Sequence, residues 1–399
     1  MRGDVPASCC PVCGSAAGSL ISFGPQPSAL GFQPRRDAPQ SRHSLELSAC
    51  DSCHFVFVPT PAPPDHFYGD SQMPTSSYPA EHLPQIIATV AARGIDPAAL
   101  VVEIGCNDGY LLAQFRAAGH SNLLGVEPSP SCVALAEKRG LDVRCAFFSA
   151  EEAAWILETR GTPAVVLCRH VLEHVTRPAE FIEALAMLVR PGGLLVLEVP
   201  DLQATEENGD FSTVWEQHVG YFDASVLRRL LRKTGLHVES LERLPHGGGS
   251  LLAYVGVGPL EDDSDVVPDR RRLVARIDAA RREVQAFVSE LRRAGKTLAG
   301  FGAGMRGVMF LSISGTGEML EFVVDDSPAK VGMFLPGARC PIVPSSMLAE
   351  RPTDYCLILP LSSKSLERKV MERFEAYRRR GGRFIEFFTD SGQTVRVHE

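Results

Sequence analysis

The stretch at 100–127 limits the possible folds of this chain more than any other. An apolar run at 100–104 predicts a buried parallel strand, the glycine-containing residues after it predict a tight turn, and 110–118 predict an amphipathic helix. A second apolar strand then ends at Glu127. This order is a β-α-β unit with its glycines at the carboxyl end of the first strand, where open α/β sheets bind ligands. We therefore expect an α/β chain built on a doubly wound sheet.

The residues of this turn indicate the kind of ligand. They read Glu103-Ile-Gly105-Cys-Asn107-Asp-Gly109, which is E-x-G-x-x-x-G and not the G-x-G-x-x-G of a pyrophosphate loop. A carboxylate before the loop disfavours a polyanion and favours a cationic ligand. Glu127, at the end of the next strand, can accept two hydrogen bonds from a ribose diol. The alternative is an α/β turn that binds no ligand.

The loop resembles the first motif of class I S-adenosylmethionine-dependent methyltransferases, and Glu127 matches the ribose-binding acid of that family. The turn Arg190-Pro-Gly-Gly193 before a further apolar strand is typical of the same family. The resemblance implies that the loop holds S-adenosylmethionine and that Phe148 packs against the adenine ring. The strand at 164–168 ends at the same edge of the sheet. The residues there that we expect to face the cofactor are Cys168, Arg169 and His170.

Size and charge narrow the classes of function. A chain of 399 residues is long enough for two or three domains. Its formal net charge of -8 gives no overall attraction for nucleic acid. The sequence has no apolar run near the length of a membrane span, and its first ten residues lack the apolar core of a signal peptide. These features predict a cytoplasmic enzyme that acts on small molecules, without a nucleic-acid or membrane partner.

Two C-x-x-C pairs near the amino terminus, Cys10 with Cys13 and Cys50 with Cys53, predict a metal site. Four thiolates suit a tetrahedral structural zinc with no open coordination position. Without a secretory signal, the 11 cysteines favour metal or free thiols over disulfides. The alternatives are free thiols or a redox pair. Between the two pairs, residues 24–42 are rich in Pro, Gly, Ser and Gln and predict a loop.

Two later segments narrow the resemblance to three-part C-methyltransferases that act on nucleotide-linked deoxysugars. The E-H-x-x-Y-F element of that family corresponds to Gln217-His218-Val-Gly-Tyr221-Phe, and its H-G-G-S element corresponds to His246 followed by Gly249-Ser250. The family layout implies a zinc-binding domain at 1–62, a methyltransferase domain with an amino-terminal connector at 63–257, and a Rossmann-like domain at 258–399.

The resemblance implies methyl transfer to a carbon next to a ketone, on a nucleotide-linked 4-keto deoxysugar. Such a carbon needs a base, for which we choose His218, and a donor for the developing enolate oxygen. His174 is the second candidate, as acid/base partner or enolate donor, with Tyr221 and Tyr78 as further donors.

Three positions depart from the family pattern. Gln217 replaces the acid before the histidine, Trp215 replaces a tyrosine, and Leu252 stands where we expect an arginine after the G-G-S. All three belong to the expected substrate site. They favour, as an alternative, O- or N-methylation of another natural-product intermediate on the same scaffold.

A second glycine loop, Gly302-Ala-Gly-Met-Arg306-Gly307, has the G-x-G-x-x-G form of a dinucleotide fingerprint. It could hold a nicotinamide cofactor, or the diphosphate of a nucleotide sugar with Arg306 as counter-charge, or its glycines could serve packing alone. The first option gives a rival function, a nicotinamide-dependent oxidoreductase. A non-enzymatic rival is a zinc-knuckle adaptor on an inactive methyltransferase domain. The residues that we expect to bind the substrate are His246, Gly249, Ser250, Gly302 and Arg306.

Overall fold

The computed structural model describes residues 9–62, 74–77, 79–258 and 268–398. These residues contain seventeen strands and twelve α-helices. The strands are β1 (Ala17–Pro27), β2 (Arg42–Cys50), β3 (Val56–Phe57), β4 (Val101–Ile104), β5 (Leu123–Glu127), β6 (Asp142–Cys145), β7 (Val165–Arg169), β8 (Leu194–Pro200), β9 (Gly220–Tyr221), β10 (Leu236–Leu244), β11 (Ser250–Val257), β12 (Leu298–Phe301), β13 (Phe322–Val324), β14 (Ile342–Val343), β15 (Tyr355–Ile358), β16 (Arg383–Phe387) and β17 (Val395–His398). The helices are α1 (Leu83–Ala92), α2 (Tyr110–Ala117), α3 (Pro130–Lys138), α4 (Ala150–Thr159), α5 (Pro178–Leu188), α6 (Leu202–Asn208), α7 (Ala224–Arg232), α8 (Arg270–Arg293), α9 (Met305–Ser314), α10 (Met347–Glu350), α11 (Lys364–Arg373) and α12 (Glu375–Arg379).

The middle of the chain forms a seven-stranded sheet in the order β10-β11-β8-β7-β4-β5-β6. Strands β4 to β8 pair in parallel, and β11 runs antiparallel to β8. Helices α1, α2 and α3 bury apolar side chains on one face, and α4, α5 and α7 do so on the other. Burial on both faces explains why the central strands are continuous apolar runs. The predicted doubly wound α/β sheet is confirmed.

The carboxyl-terminal part forms a six-stranded sheet in the order β14-β13-β12-β15-β16-β17, parallel except for β17. Helix α8 precedes this sheet and buries one stripe that includes Leu273, Ile277, Val284 and Val288. These side chains share a core with β1, β2 and the helix α9. Within the described residues, no helix is long and apolar enough to cross a membrane.

The amino-terminal sheet has the order β1-β2-β3-β9, and all of its pairs are antiparallel. Strand β1 extends to Pro27, so the loop predicted at 24–42 begins later than expected. Its register shifts after Ser19 and after Ser22, which lets Gly24 and Pro25 remain paired with β2. Strand β9 comes from the middle of the chain, so this sheet contains residues from both sides of the predicted domain boundary at 62. The domain boundaries at 62 and 257 stay a prediction.

Candidate functional site

A cleft of about 530 Å³ opens at the carboxyl ends of β4, β5 and β7. This volume lies in the range of roughly 300 to 1,000 Å³ that small-molecule sites occupy. Most of its lining comes from the seven-stranded sheet and its loops, with Leu30 added by the amino-terminal part and Met305 and Arg306 by α9. All three parts of the chain therefore contribute to one site.

The glycine loop after β4 lines this cleft through Gly105 and Asn107, whereas Gly109 begins α2 behind it. Gly105 has a φ of 71°, and a Cβ there would lie 2.3 Å from Cγ2 of Val171. A larger side chain would both strain the backbone and displace Val171. The tight turn that the sequence predicted therefore needs glycine at 105.

Two buried carboxylates flank the loop and fit the predicted cofactor. Glu103 is 5% exposed, and its Oε2 has no hydrogen-bond partner among the described residues. Burial raises the pKa of Glu103 to about 8. Glu127 accepts hydrogen bonds from the backbone N–H of Asn107 and of Ser129, each at 2.9 Å, through a different oxygen. Each Glu127 oxygen keeps a lone pair for a hydroxyl group, and Glu103 keeps one for a cationic group.

The end of β7 places its three predicted residues differently. Cys168 is fully buried in the sheet, outside the cleft lining, and burial raises the pKa of its thiol. Arg169 lines the cleft but binds Glu198, with Nε 2.6 Å from Oε2. Phe148 lines the cleft and packs edge-on against Phe181, with ring centroids 5.4 Å apart.

His170 lies between two carboxylates. Its Nδ1 is 3.1 Å from Oε1 of Glu173, and its Nε2 is 3.2 Å from Oε1 of Glu198. Burial alone would lower the pKa of His170, but the two carboxylates outweigh it and raise the pKa to about 9. His170 is therefore an imidazolium at neutral pH.

Two further histidines line the same cleft, and a backbone carbonyl fixes the orientation of each ring. Nδ1 of His174 donates to the carbonyl oxygen of Gln217 at 2.8 Å, and Nδ1 of His218 donates to the carbonyl oxygen of Thr213 at 3.1 Å. Because a carbonyl only accepts, each Nδ1 carries a hydrogen, and Nε2 is the ring nitrogen that remains for a substrate. The ring centroids lie 5.1 Å apart.

Burial holds the pKa of His218 well below its usual range, and the nearby His174 and His170 lower it further. The imidazole of His218 is thus unprotonated at neutral pH. A neutral imidazole with an available Nε2 lone pair is the form that acts as a base.

The remaining predicted residues divide into two groups. Those that line the cleft are Gln217, His246, Gly249, Ser250 and Arg306, together with the divergent Trp215. Tyr221 and Gly302 do not line it, Leu252 is fully buried in β11, and Tyr78 lies outside the described residues. The hydroxyl group of Tyr221 is buried without a partner in the described part of the chain.

Neighbouring atoms fill the space next to two glycines of the loop at 302–307. A Cβ on Gly302 would lie 2.6 Å from Cδ2 of Leu361, and a Cβ on Gly307 would lie 2.6 Å from the carbonyl oxygen of Gly302. Asp325 accepts a hydrogen bond from the backbone N–H of Ala303 at 2.9 Å. Packing alone therefore accounts for these two glycines.

Arg306, the predicted counter-charge for a diphosphate, is already bound. Its guanidinium forms an ion pair with Asp210 and donates hydrogen bonds to the hydroxyl of Ser212 and the carbonyl of Leu361. Sequence reasoning missed this acid, as it missed Glu198, whereas Glu173 belongs to the segment after β7 that it placed at the cofactor edge of the sheet. The contacts of Asp210 with Arg306 and of Glu198 with Arg169 join residues that lie far apart in the sequence, so residue spacing does not reveal them.

The four cysteines of the two C-x-x-C pairs converge on one point. Sγ of Cys10 is 3.5 Å from that of Cys53, and Sγ of Cys13 is 3.4 Å from that of Cys50. These separations are too long for a disulfide, with its S–S bond of about 2.0 Å, and are near the sulfur–sulfur spacing that Zn–S bonds of about 2.3 Å give in a tetrahedron. Backbone N–H groups of Val12, Ser52 and Cys53 point at the sulfurs. The cluster fits a structural zinc.

Comparisons with known proteins match the chain along nearly its whole length. It is 28% identical to the C-methyltransferase NovU from Streptomyces niveus over 405 residues, which cover 95% of each protein. Residues 77–241 match a family described as a methyltransferase domain, and residues 265–388 match the C-methyltransferase C-terminal domain family.

Shorter matches cover the central part. A stretch of 98 residues is 38% identical to the ubiquinone biosynthesis O-methyltransferase from Colwellia psychrerythraea, and it spans 24% of this chain and 39% of that protein. Among solved structures, magnesium protoporphyrin IX methyltransferase from Synechocystis PCC 6803 with bound SAH matches 45% of this chain and 82% of that one, with 17% identity and a TM-score of 0.36.

Proposed function

This chain is a class I S-adenosylmethionine-dependent methyltransferase, and we propose that it transfers the methyl group to a carbon atom next to a ketone. The observation that carries this proposal is the neutral His218, which lines the same cleft as the cofactor loop and keeps the lone pair of its Nε2. Carbon becomes a nucleophile only after it loses a proton, so a C-methyltransferase needs a base of this kind. The C-methyltransferase NovU supports the same reaction, since the match covers both proteins almost fully.

Each residue near His218 has a role that follows from its hydrogen bonds. When bound, S-adenosylmethionine supplies the electrophilic methyl group, and Glu103, Asn107 and Glu127 are the residues that would hold it. His218 removes the α-proton through Nε2 while the carbonyl of Thr213 fixes its ring. The carbonyl of Gln217 fixes the ring of His174 through Nδ1, which leaves Nε2 of His174 as the atom that would act as acid/base partner or as donor to the enolate.

The acceptor that we propose is a nucleotide-linked 4-keto deoxysugar. In support, His246, Gly249 and Ser250 line the same cleft as the cofactor loop. A second cavity of about 310 Å³ adjoins it, shares Gly249 and Arg306 with it, and gives room for a nucleotide.

The charges of this second cavity favour one alternative acceptor. Its cations are each bound to carboxylates: Arg243 to Asp201 at 2.6 Å, Lys364 to Glu367 at 2.7 Å, and Arg306 to an aspartate. A diphosphate would have to compete with these carboxylates. A keto acceptor that lacks a diphosphate is therefore the second candidate on the same scaffold.

Labelled S-adenosylmethionine tests both acceptors when it is supplied with nucleotide 4-keto sugars and with the matching sugars without the nucleotide. We expect a methyl group on the carbon next to the ketone, located by mass spectrometry. Replacement His218→Asn should stop exchange of the α-proton in deuterated water. Undiminished exchange in this variant would exclude His218 as the base, and methyl found only on oxygen or nitrogen would overturn C-methylation.

A further inference from the structure

Removal of the substrate proton places a positive charge on the buried ring of His218. Its low pKa keeps the base neutral at rest, but the same burial makes the imidazolium that forms during the reaction unstable. A carboxylate near the ring offsets this cost. In the family pattern an acid precedes the histidine, and here that position is Gln217.

The neighbouring acid in the sequence does not fill this role. Glu216 is buried, and its Oε1 accepts hydrogen bonds from the hydroxyl of Ser28 at 3.0 Å and the backbone N–H of Ala29 at 2.9 Å. It therefore faces the amino-terminal part, and it is not part of the cleft lining.

A different acid reaches His218 from another element. Glu173 lies in the short 3-10 turn Leu172–His174 after β7 and is 1% exposed. One of its carboxylate oxygens and one ring nitrogen each of His174 and His218 lie within 4.8 Å of one another. Its Oε2 has no hydrogen-bond partner among the described residues. The carboxylate is therefore close to the base and has a free oxygen.

The other oxygen of Glu173 is held in place by a series of ion pairs. Oε1 is 3.1 Å from Nδ1 of His170, and His170 contacts Glu198, which also binds Arg169. The backbone carbonyl of Glu173 accepts a hydrogen bond from the N–H of Val219 at 2.7 Å, next to His218. These contacts hold the carboxylate in place beside the segment that carries the base.

We propose that Glu173 is the positioning residue that stabilises the imidazolium formed on His218, in place of the acid that Gln217 replaces. The inference rests on the proposed function. In the step, the α C–H bond breaks, its proton moves to Nε2 of His218, and its electron pair forms the enolate. The carboxylate of Glu173 balances the new positive charge, and the proton leaves His218 for solvent after methyl transfer.

The test compares Glu173→Gln with the double variant Glu173→Gln/Gln217→Glu, which returns an acid to position 217. We expect the single variant to lower kcat and the rate of α-proton exchange in deuterated water about 100-fold. The affinity for S-adenosylmethionine and the KM for the acceptor should stay close to those of the wild type, whereas the melting temperature should fall because the contact with His170 is weakened. The double variant should recover at least about tenfold of the exchange rate.

Glu216→Gln is the matched control, because it also removes a buried carboxylate but one that faces away from the cleft. It should leave the exchange rate unchanged. Unchanged exchange in Glu173→Gln, or a loss that follows a loss of cofactor affinity, would overturn the inference.

A metal role for the same three side chains is a separate outcome of the test. A second equivalent of zinc or manganese in the wild type that is lost in Glu173→Gln would also overturn it. If the wild type itself neither exchanges the α-proton nor methylates carbon, the proposed function fails independently of Glu173.

Discussion

At the scale of single residues, Glu103 gives the clearest dependence on pH. Its pKa of about 8 keeps its carboxyl group neutral at about pH 7, whereas a cationic ligand prefers the carboxylate. Binding of S-adenosylmethionine should therefore release up to about one proton at neutral pH, and the release should vanish well above pH 8. Affinity should rise as the pH increases towards 8.

Calorimetry in buffers of different ionisation enthalpy measures this proton release. Glu103→Gln is the control that keeps the shape of the side chain, and it should bind more weakly and release fewer protons. Equal proton release from the variant and the wild type would show that the ligand itself, and not Glu103, is the group that titrates.

The sequence predicted which residues enter the cleft better than it predicted what they bind. Glu103, Glu127, His174 and His218 could be predicted because they lie at the ends of strands or in motifs whose place in an α/β sheet is fixed. Their partners could not be predicted, because contacts such as that between His170 and Glu198 depend on which strands are neighbours in space. The ring orientations of His174 and His218 follow from backbone carbonyls, which carry no sequence signal.

At the scale of elements, the pairing of β3 with β9 links the cysteine cluster to the base. Val56 and Phe57 lie three and four residues after Cys53 and pair with Tyr221 and Gly220, just after His218. The backbone N–H of Val58 also donates to the carbonyl of Val219 at 2.9 Å. A two-residue strand has no periodicity to detect, so the residue pattern does not reveal this pairing. The zinc that we propose at the cluster would therefore hold the segment with His218 as well as its own sheet.

Replacement Cys50→Ser should reduce bound zinc from about one ion per chain, lower the melting temperature, and reduce kcat about tenfold or more. The reduction in kcat follows from the displacement of β9 and not from chemistry at the metal, because a site with four cysteine ligands has no open position. Elemental analysis, thermal unfolding and a methyl-transfer assay measure the three effects. Cys9→Ser is the matched control and should change none of them. Full activity in a zinc-free Cys50→Ser protein would contradict this link.

At the scale of the whole molecule, the cleft exists only because three parts of the chain are held together. Helix α8 and α9 share one core with β1 and β2, and Gln33 forms a β-bridge with Phe334. The pair of Asp210 and Arg306 is one of the buried ion pairs between the middle and carboxyl-terminal parts, and Asp210 is 3% exposed. The sequence predicted the three-part order through a family resemblance, but residue spacing does not encode how such parts meet.

Replacement Arg306→Met keeps the aliphatic stem of the side chain but leaves the buried charge of Asp210 without its cation. We expect the free energy of unfolding to fall by about 3 kcal/mol, because an uncompensated buried charge costs more than the lost ion pair contributed. The double variant Asp210→Asn/Arg306→Met removes both charges, and the asparagine oxygen can still accept from the backbone N–H of Ser212. It should therefore be more stable than Arg306→Met alone. Urea unfolding followed by circular dichroism measures this cycle, and additive losses would show that the pair does not join the two parts.

The KM for the acceptor in the same variants tests whether Arg306 binds the substrate. A binding role for Arg306 predicts a raised KM in both variants, whereas a purely structural role predicts that the KM recovers in the double variant.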